Sequence, residues 1–227
     1  MSYAPFRGRM VGTRHMVSAG HYLATNAAFQ ILEAGGNAID AGVSGSIVLS
    51  VVQCDFVGFG GVAPIMVKPA NEDQVVTVTG LGCWPRRASV DVFKKEYDGS
   101  IPHGLLRTVV PAAPDSWLTT LMRWGSMSFA EVSSVAVTLA DKGFAASDFF
   151  CAMLAECEDD IRQWPENEKI YLPNGRLPKP GELFRQEDLA RTIQHMVDQE
   201  QAVAAKHGRV KGLQAARDAF YQGDIAN

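Results

Sequence analysis

The chain has 227 residues, 47% of them apolar, so it is long enough to bury the core of one large domain or two small ones. Lysine and arginine number 21 against 25 aspartate and glutamate residues, and the resulting net charge of −4 argues against a nucleic-acid-binding protein. No uncharged apolar run is long enough for a membrane span, and the stretch up to Val17 has no signal-peptide core, so we expect a cytoplasmic protein with no membrane partner.

The first third of the chain predicts a strand, two helices and a β-hairpin. The strand covers residues 17–23, the helices cover 24–34 and 38–51, and the hairpin strands cover 64–67 and 75–79. Gly35-Gly36 ends the first helix because glycine tolerates left-handed backbone angles, and Asn37 can cap the second helix.

The rest of the chain is predicted to be mainly helical. Helices are predicted over residues 91–97, 115–124, 128–142, 147–162, 185–208 and 211–221, with a segment at 103–110 leading into a strand. Ser128 and Glu131 have the spacing of a capping box, and Gly143 ends that helix. Residues 164–180 contain four prolines and predict irregular surface. Strands that precede helices without βαβ alternation predict an α+β fold, here a single domain over 1–227 with a mostly helical segment at 145–210.

A glycine-rich run, Gly58-Phe59-Gly60-Gly61, stands just before the hairpin and fits two interpretations. Its backbone N–H groups could bind a reacting carbonyl oxygen, or the run could be a tight turn with no room for side chains, which we favour. It matches no phosphate-binding motif. The four cysteines form no CxxC pair or His–Cys cluster, so the sequence predicts no metal site and no cofactor.

Four stretches, taken in order, resemble the γ-glutamyltranspeptidase family. The first is 23–41, with ILEAGGNAIDA, and the second is 51–67, where the family has a Glu-Pro pair and four glycines but this chain has Gln53-Cys54 and three. The third is 110–144, with Trp124-Gly125 and Gly143-Phe144 in register, and the fourth is 180–226, with PGELFRQEDLARTI and AFYQGDIA. Each stretch alone is a weak match, but four in order identify the family.

The resemblance implies a four-layer αββα sandwich of the N-terminal-nucleophile hydrolase type, in which this chain supplies part of the sheets and most of the helices. It also implies autocleavage of a precursor to expose an N-terminal threonine, whose α-amine acts as general base. The family's Thr-Thr-His segment has no counterpart here, because Thr119-Thr120 precedes Leu121-Met122 inside a predicted helix. We therefore assign no catalytic residue to this large (α) subunit and expect the threonine on a partner, the small (β) subunit.

The residues after the second hairpin strand bear on the substrate. The γ-glutamyl enzymes have Gly-Arg-Glu-Thr-Ala-Pro there, and the Arg binds the substrate's α-carboxylate, whereas this chain reads Gly-Leu81-Gly82-Cys-Trp84-Pro. A leucine cannot form the two-pronged, charge-assisted contact that arginine makes to a carboxylate. We take Leu81, Gly82, Trp84 and Arg86 as candidate substrate-binding residues. Trp84 could instead be a core or interface aromatic, and Arg86 and Arg87 could be solvated surface charges.

The resemblance and the leucine together predict an amide hydrolase or acyltransferase whose substrate is a small-molecule amide other than a γ-glutamyl compound. Two alternatives stay open. One is a true γ-glutamyltransferase or glutathione hydrolase with a substituted carboxylate site. The other is a catalytically silent relative that serves as a binding or structural subunit.

Overall fold

The computed structural model describes residues 10–227. The prediction that the N-terminal stretch has no signal-peptide core therefore falls partly outside the described residues. Its helices are α1 (Tyr22–Glu33), α2 (Ala38–Val52), α3 (Val90–Glu96), α4 (Ala113–Trp124), α5 (Phe129–Lys142), α6 (Asp148–Glu156), α7 (Glu158–Arg162), α8 (Pro165–Tyr171), α9 (Glu187–His207) and α10 (Arg209–Tyr221), with a 3-10 turn at Leu105–Arg107. Strands β1 (Ile65–Val67) and β2 (Val76–Val78) form one antiparallel ribbon, and β3 (Phe144–Ala145) and β4 (Leu183–Phe184) form another. Within residues 10–227, no helix combines the length and apolar character that a membrane span requires.

Local signals account for most helix boundaries. Asn37 caps α2 with its side chain and forms a capping box with Asp40, and Ser128 and Glu131 form the same motif at α5. Gly143 follows α5 with a φ of 91°, a conformation that glycine adopts without strain. The predicted hairpin is confirmed, and its register pairs Ile65 with Val78.

Two predicted strands are absent. The segment at 17–23 has no regular secondary structure before Tyr22, where α1 already begins. The segment at 103–110 contains the 3-10 turn instead of a strand. Within residues 10–227 neither segment lies in a ladder, and a strand forms only where a neighbour satisfies its backbone groups.

Two helix predictions also need correction. The single helix predicted over 147–162 is divided at Cys157 into α6 and α7. The region at 164–180, predicted to be irregular, contains α8, which begins at Pro165. A proline at the first helical position is compatible with a helix because the first turn's N–H groups have no intrahelical acceptor.

The core is built around α2, which is lined with small and β-branched residues. It packs against α1, α4 and α5, and α9 packs against α5 and α10. Val43, Ile47, Val48 and Val51 of α2 are each at most 2% exposed. The small residues let neighbouring helices approach closely.

Two fully buried carboxylates join the helices. Asp40, with no exposed surface, accepts hydrogen bonds from the backbone N–H groups of Asn37, Ser126 and Met127 and from the Ser126 hydroxyl. It thereby holds the start of α2 against the turn between α4 and α5.

Glu200 of α9 has a similar role at the start of α5. It is 1% exposed and accepts hydrogen bonds from the N–H groups of Phe129 (2.7 Å) and Ala130 (2.8 Å). These N–H groups belong to the first turn of α5, so a carboxylate from a distant helix satisfies donors that α5 cannot satisfy itself.

Candidate functional site

Three segments meet at the end of the β1–β2 ribbon. The Ala63 N–H donates to the Gly80 carbonyl (2.9 Å), and the Val110 N–H donates to the Cys83 carbonyl (2.9 Å). The segment after β2 therefore lies between the residues before β1 on one side and the residues before α4 on the other. This brings together the glycine-rich run, the predicted substrate-binding stretch and the start of α4.

Backbone packing fixes the glycines of the stretch after β2. Gly80 and Gly82 have φ values of +53° and +70°, in the region that favours glycine. A Cβ at Gly80 would lie 2.1 Å from the Ala63 oxygen, and one at Gly82 would lie 2.3 Å from the Val110 oxygen. The structure gives Gly82 a reason to be glycine that is independent of a ligand, and its part in substrate binding stays a prediction.

The side chains of the same stretch are open to their surroundings. Leu81 is 56% exposed, and Trp84 is 38% exposed with its ring centre 5.2 Å from that of Phe93. Arg86 is exposed two residues further on. Within six residues of sequence the stretch thus exposes two apolar side chains, Leu81 and Trp84, and one cation, Arg86. Their roles as binding residues remain predictions.

The glycine-rich run forms a turn that is joined to α4. The Gly61 N–H donates to the Gly58 carbonyl (2.9 Å), and the Gly61 carbonyl accepts from the N–H groups of Ala112 (2.9 Å) and Ala113 (3.0 Å). A Cβ at Gly61 would lie 3.0 Å from the Gly58 oxygen, so the tight-turn interpretation holds at that position.

Phe59 anchors the same turn in the core. Its side chain is 6% exposed, and its ring centre lies 5.3 Å from that of Trp117 and 5.9 Å from that of Phe220. The turn is thus fixed by one buried aromatic side chain and by the hydrogen bonds at Gly61.

The end of α10 holds the start of α4. The Tyr221 hydroxyl donates to the Pro111 carbonyl (2.7 Å) and accepts from the Asp115 N–H (3.1 Å), while Arg217 forms an ion pair with Asp115. Burial raises the pKa of Tyr221 to about 12, so this hydroxyl keeps its proton near neutral pH. Sequence reasoning missed this contact because 106 residues separate Tyr221 from Asp115.

A cavity of about 850 Å³ lies beside the glycine turn. Its walls come from the turn, the end of α8 and the start of α9, and its lining includes Gly58, Gly60, Tyr171, Leu183 and Arg185. None of the four predicted substrate-binding residues lines it. The Gln186 side-chain amide donates to the Val51 carbonyl (2.8 Å) and so joins the segment before α9 to the end of α2, a long-range contact that no local sequence signal revealed.

The cysteine next to the glycine turn is not activated as a nucleophile. Burial raises the pKa of the Cys54 thiol to about 12, so it is not a thiolate near neutral pH. Burial also raises the pKa of Asp55 and lowers that of His21. Among residues 10–227, no group of three potential metal ligands is found.

The only threonine pair lies within α4. The Thr120 hydroxyl donates to the Ser116 carbonyl (2.6 Å), and the Thr119 hydroxyl donates to Asp115 (3.4 Å). Both side chains satisfy their donors within their own helix, and neither residue stands at a chain end. The pair is thus part of the helix, and the absence of a nucleophile from it stays a prediction.

Comparison with known proteins identifies the family. The gamma-glutamyltranspeptidase family model matches residues 24–227. This chain belongs to the γ-glutamyltranspeptidase family. The glutathione hydrolase-like YwrD proenzyme of Bacillus subtilis (strain 168) is 32% identical over 219 residues, which are 96% of this chain and 38% of that protein. The acylase ACY 1 proenzyme of Pseudomonas sp. (strain V22) is 31% identical over 192 residues, 80% of this chain and 34% of that protein.

Solved structures of the family share this fold. Helicobacter pylori γ-glutamyltranspeptidase matches with a TM-score of 0.81 at 25% identity, over 98% of this chain and 59% of that chain. The backbone of this chain is therefore shared by a solved member of the family. The chain spans little more than a third of the length of the curated relatives it matches.

Proposed function

We propose that this chain is the large-subunit portion of an autoprocessed amide hydrolase or acyltransferase whose substrate is a small-molecule amide other than a γ-glutamyl compound. The nucleophile is a threonine on a separate downstream segment, with its own α-amine as general base. The observation that carries the substrate assignment is Leu81, which by the sequence resemblance corresponds to the family's carboxylate-binding arginine and whose side chain is 56% exposed.

The physical reason lies in the charge of the substrate. A γ-glutamyl group brings an α-carboxylate to this place, and a carboxylate that is buried without a partner costs several kcal/mol. Leu81 offers the carboxylate no hydrogen-bond donor, and Trp84 offers only one neutral indole N–H, whereas both side chains suit an uncharged acyl group. The similarity to a protein named an acylase supports this assignment.

The same proposal includes a four-layer αββα sandwich in the complete protein. The β1–β2 ribbon has two strands of three residues, and a two-stranded ribbon alone is at best marginally stable in water. Met66 is 76% exposed and Val75 is 53% exposed, so apolar surface is available for further strands. We propose that the small subunit supplies them, consistent with relatives that are named proenzymes.

Mass spectrometry of the protein purified from its native source tests the processing. We expect two copurifying polypeptides, the second with an N-terminal threonine. A single uncleaved polypeptide without activity would instead favour the catalytically silent relative.

A substrate comparison tests the role of Leu81. The complete protein should hydrolyse acyl anilides with short uncharged acyl groups faster than γ-glutamyl-p-nitroanilide, and Leu81→Arg should raise kcat/KM for the γ-glutamyl compound at least about tenfold. Val210→Arg, an equal change of charge at an exposed position of α10, serves as the control and should have no such effect. If Leu81→Arg behaves like the control, the assignment of residue 81 to carboxylate recognition is wrong.

Glutathione hydrolysis is the second candidate, because Arg86 is an exposed cation close to Leu81 and a relative is named glutathione hydrolase-like. On this alternative Arg86 replaces the missing arginine. The wild-type protein would then hydrolyse γ-glutamyl-p-nitroanilide efficiently, and Arg86→Met would abolish that activity.

A further inference from the structure

At Gly58 and Gly60, neither the backbone conformation nor the surrounding residues within 10–227 require a glycine. A Cβ at Gly58 would meet nothing within 4 Å, and one at Gly60 would meet only the Pro111 ring, at 3.9 Å. Neither residue has a positive φ. Gly80 is the contrasting case: a Cβ there would lie 2.1 Å from a carbonyl oxygen, so the fold itself requires glycine at that position. Gly58 and Gly60 could both be alanine as far as the described chain is concerned.

The backbone beside these glycines also has donors to spare. Within the described part of the chain, the N–H groups of Gly58, Phe59, Gly60 and Val62 have no backbone hydrogen-bond acceptor. The Gly61 carbonyl points to the start of α4, and in a planar trans peptide the Val62 N–H therefore points the opposite way.

Exposed apolar side chains surround this backbone. Val57 is 40% exposed, Val62 is 47% exposed, and Leu183 at the wall of the neighbouring cavity is 63% exposed. Apolar side chains on several segments around one turn indicate a surface that another part of a protein covers.

We propose that an extended segment of the polypeptide that completes the protein crosses the turn at Gly58 and Gly60, with its backbone carbonyl oxygens accepting from the N–H groups of Gly60 and Val62. The absence of side chains at both glycines allows the two backbones to approach closely. The occupant is polypeptide because the relatives extend well beyond the part that this chain matches, and because the carbonyl oxygens of an added backbone are acceptors suited to unpaired backbone N–H groups. This inference rests on the proposed function only in requiring that such a further segment exists.

Hydrogen exchange on the complete protein, resolved to single amides, tests the contact directly. We expect the Gly60 and Val62 amides to exchange at least about 100-fold more slowly than in an unstructured peptide, with no substrate added. Exchange at the unstructured rate would overturn the inference. Protection that appears only after an acyl anilide is added would overturn it too, because the occupant would then be the substrate.

A pair of substitutions provides an independent test. Gly42 of α2 is exposed, has no positive φ and would place a Cβ more than 4 Å from any neighbour, so it matches Gly58 and Gly60 within this chain. From the described chain alone, Gly60→Ala and Gly42→Ala should both leave the Tm unchanged or raise it. The inference predicts that only Gly60→Ala lowers the Tm of the complete protein and weakens the association of its two polypeptides in native mass spectrometry.

The two proposals fail in different ways. If the wild-type protein contains no second polypeptide, the autoprocessed enzyme is refuted, whereas the exchange measurement still applies to an uncleaved chain. If the further segment is present and Gly60→Ala behaves like Gly42→Ala, the contact at the glycine turn is refuted and the enzyme proposal stands.

Discussion

Replacing Asp40 by asparagine tests whether one buried carboxylate joins α2 to the turn between α4 and α5. Oδ1 accepts from the N–H groups of Ser126 (2.9 Å) and Met127 (3.1 Å), and Oδ2 accepts from the Asn37 N–H (2.9 Å) and the Ser126 hydroxyl (2.6 Å). Every partner donates to the carboxylate, so an amide nitrogen at either position faces donors. In the better orientation the Ser126 hydroxyl turns to accept from the amide, and the Asn37 N–H is left unpaired.

The cost follows from those bonds. An unpaired buried N–H costs about 1–3 kcal/mol, and each remaining bond that loses a charged acceptor weakens by about 1 kcal/mol, so Asp40→Asn should cost about 3–5 kcal/mol. Glu131 is a matched control, because it occupies the same capping-box position in α5 but is exposed. Glu131→Gln should cost less than about 1 kcal/mol.

Urea unfolding of the complete protein at neutral pH, followed by circular dichroism, measures both values. The slope of the free energy of unfolding against urea should stay constant, so that a shift of the midpoint reports stability alone. If Asp40→Asn costs no more than Glu131→Gln, the buried hydrogen bonds do not hold these helices together as described.

Three further outcomes are expected. Burial raises the folded-state pKa of Glu200, and two backbone hydrogen bonds partly offset this effect. The contribution of Glu200 to the free energy of unfolding is therefore present below its unfolded-state pKa and is lost as the pH rises through its folded-state pKa. A pH series of unfolding free energies from acid to neutral should show this loss in the wild type and not in Glu200→Gln, and parallel curves would contradict it. Tyr221→Phe removes the hydroxyl that bridges to the start of α4 and should cost about 1–2 kcal/mol in the same assay, and a loss within error of zero would contradict that role. With the thiol of Cys54 at a pKa of about 12, iodoacetamide at pH 8 should label exposed Cys83 and Cys157 and leave Cys54 unmodified, as checked by peptide mass spectrometry.

Local sequence signals predicted the parts of this fold that depend on neighbouring residues. Asn37 and Ser128 begin helices, and Gly143 ends one, because caps and left-handed glycines act within a single turn of chain. The strands predicted over 17–23 and 103–110 did not form, because their apolar composition says nothing about whether a partner strand is available.

The site divides in the same way. The stretch from Gly80 to Pro85 was singled out from its sequence because it lines up with a six-residue family pattern, and its part in substrate binding stays a prediction. The cavity beside the glycine turn and the hold of Tyr221 on α4 depend on contacts between segments about a hundred residues apart. Composition and periodicity do not encode such contacts, whereas the AFYQGDIA stretch marked the segment that contains Tyr221 without indicating its partner.

The structure shows that folding constrains the two glycines beside residue 81 more than it constrains the side chain of residue 81 itself. Gly80 and Gly82, on either side, are fixed by backbone bonds and close contacts with Ala63 and Val110, whereas the Leu81 side chain is 56% exposed and contributes little to that fixation. Leu81→Arg should therefore change the free energy of unfolding by less than about 0.5 kcal/mol while it changes substrate preference. Gly80→Ala should unfold this end of the ribbon, because the added methyl group would lie 2.1 Å from a carbonyl oxygen. Residue 81 is little constrained by folding, although both of its neighbours are. At such a position, substrate preference can change without loss of the fold. A large change in stability in Leu81→Arg would contradict this reasoning.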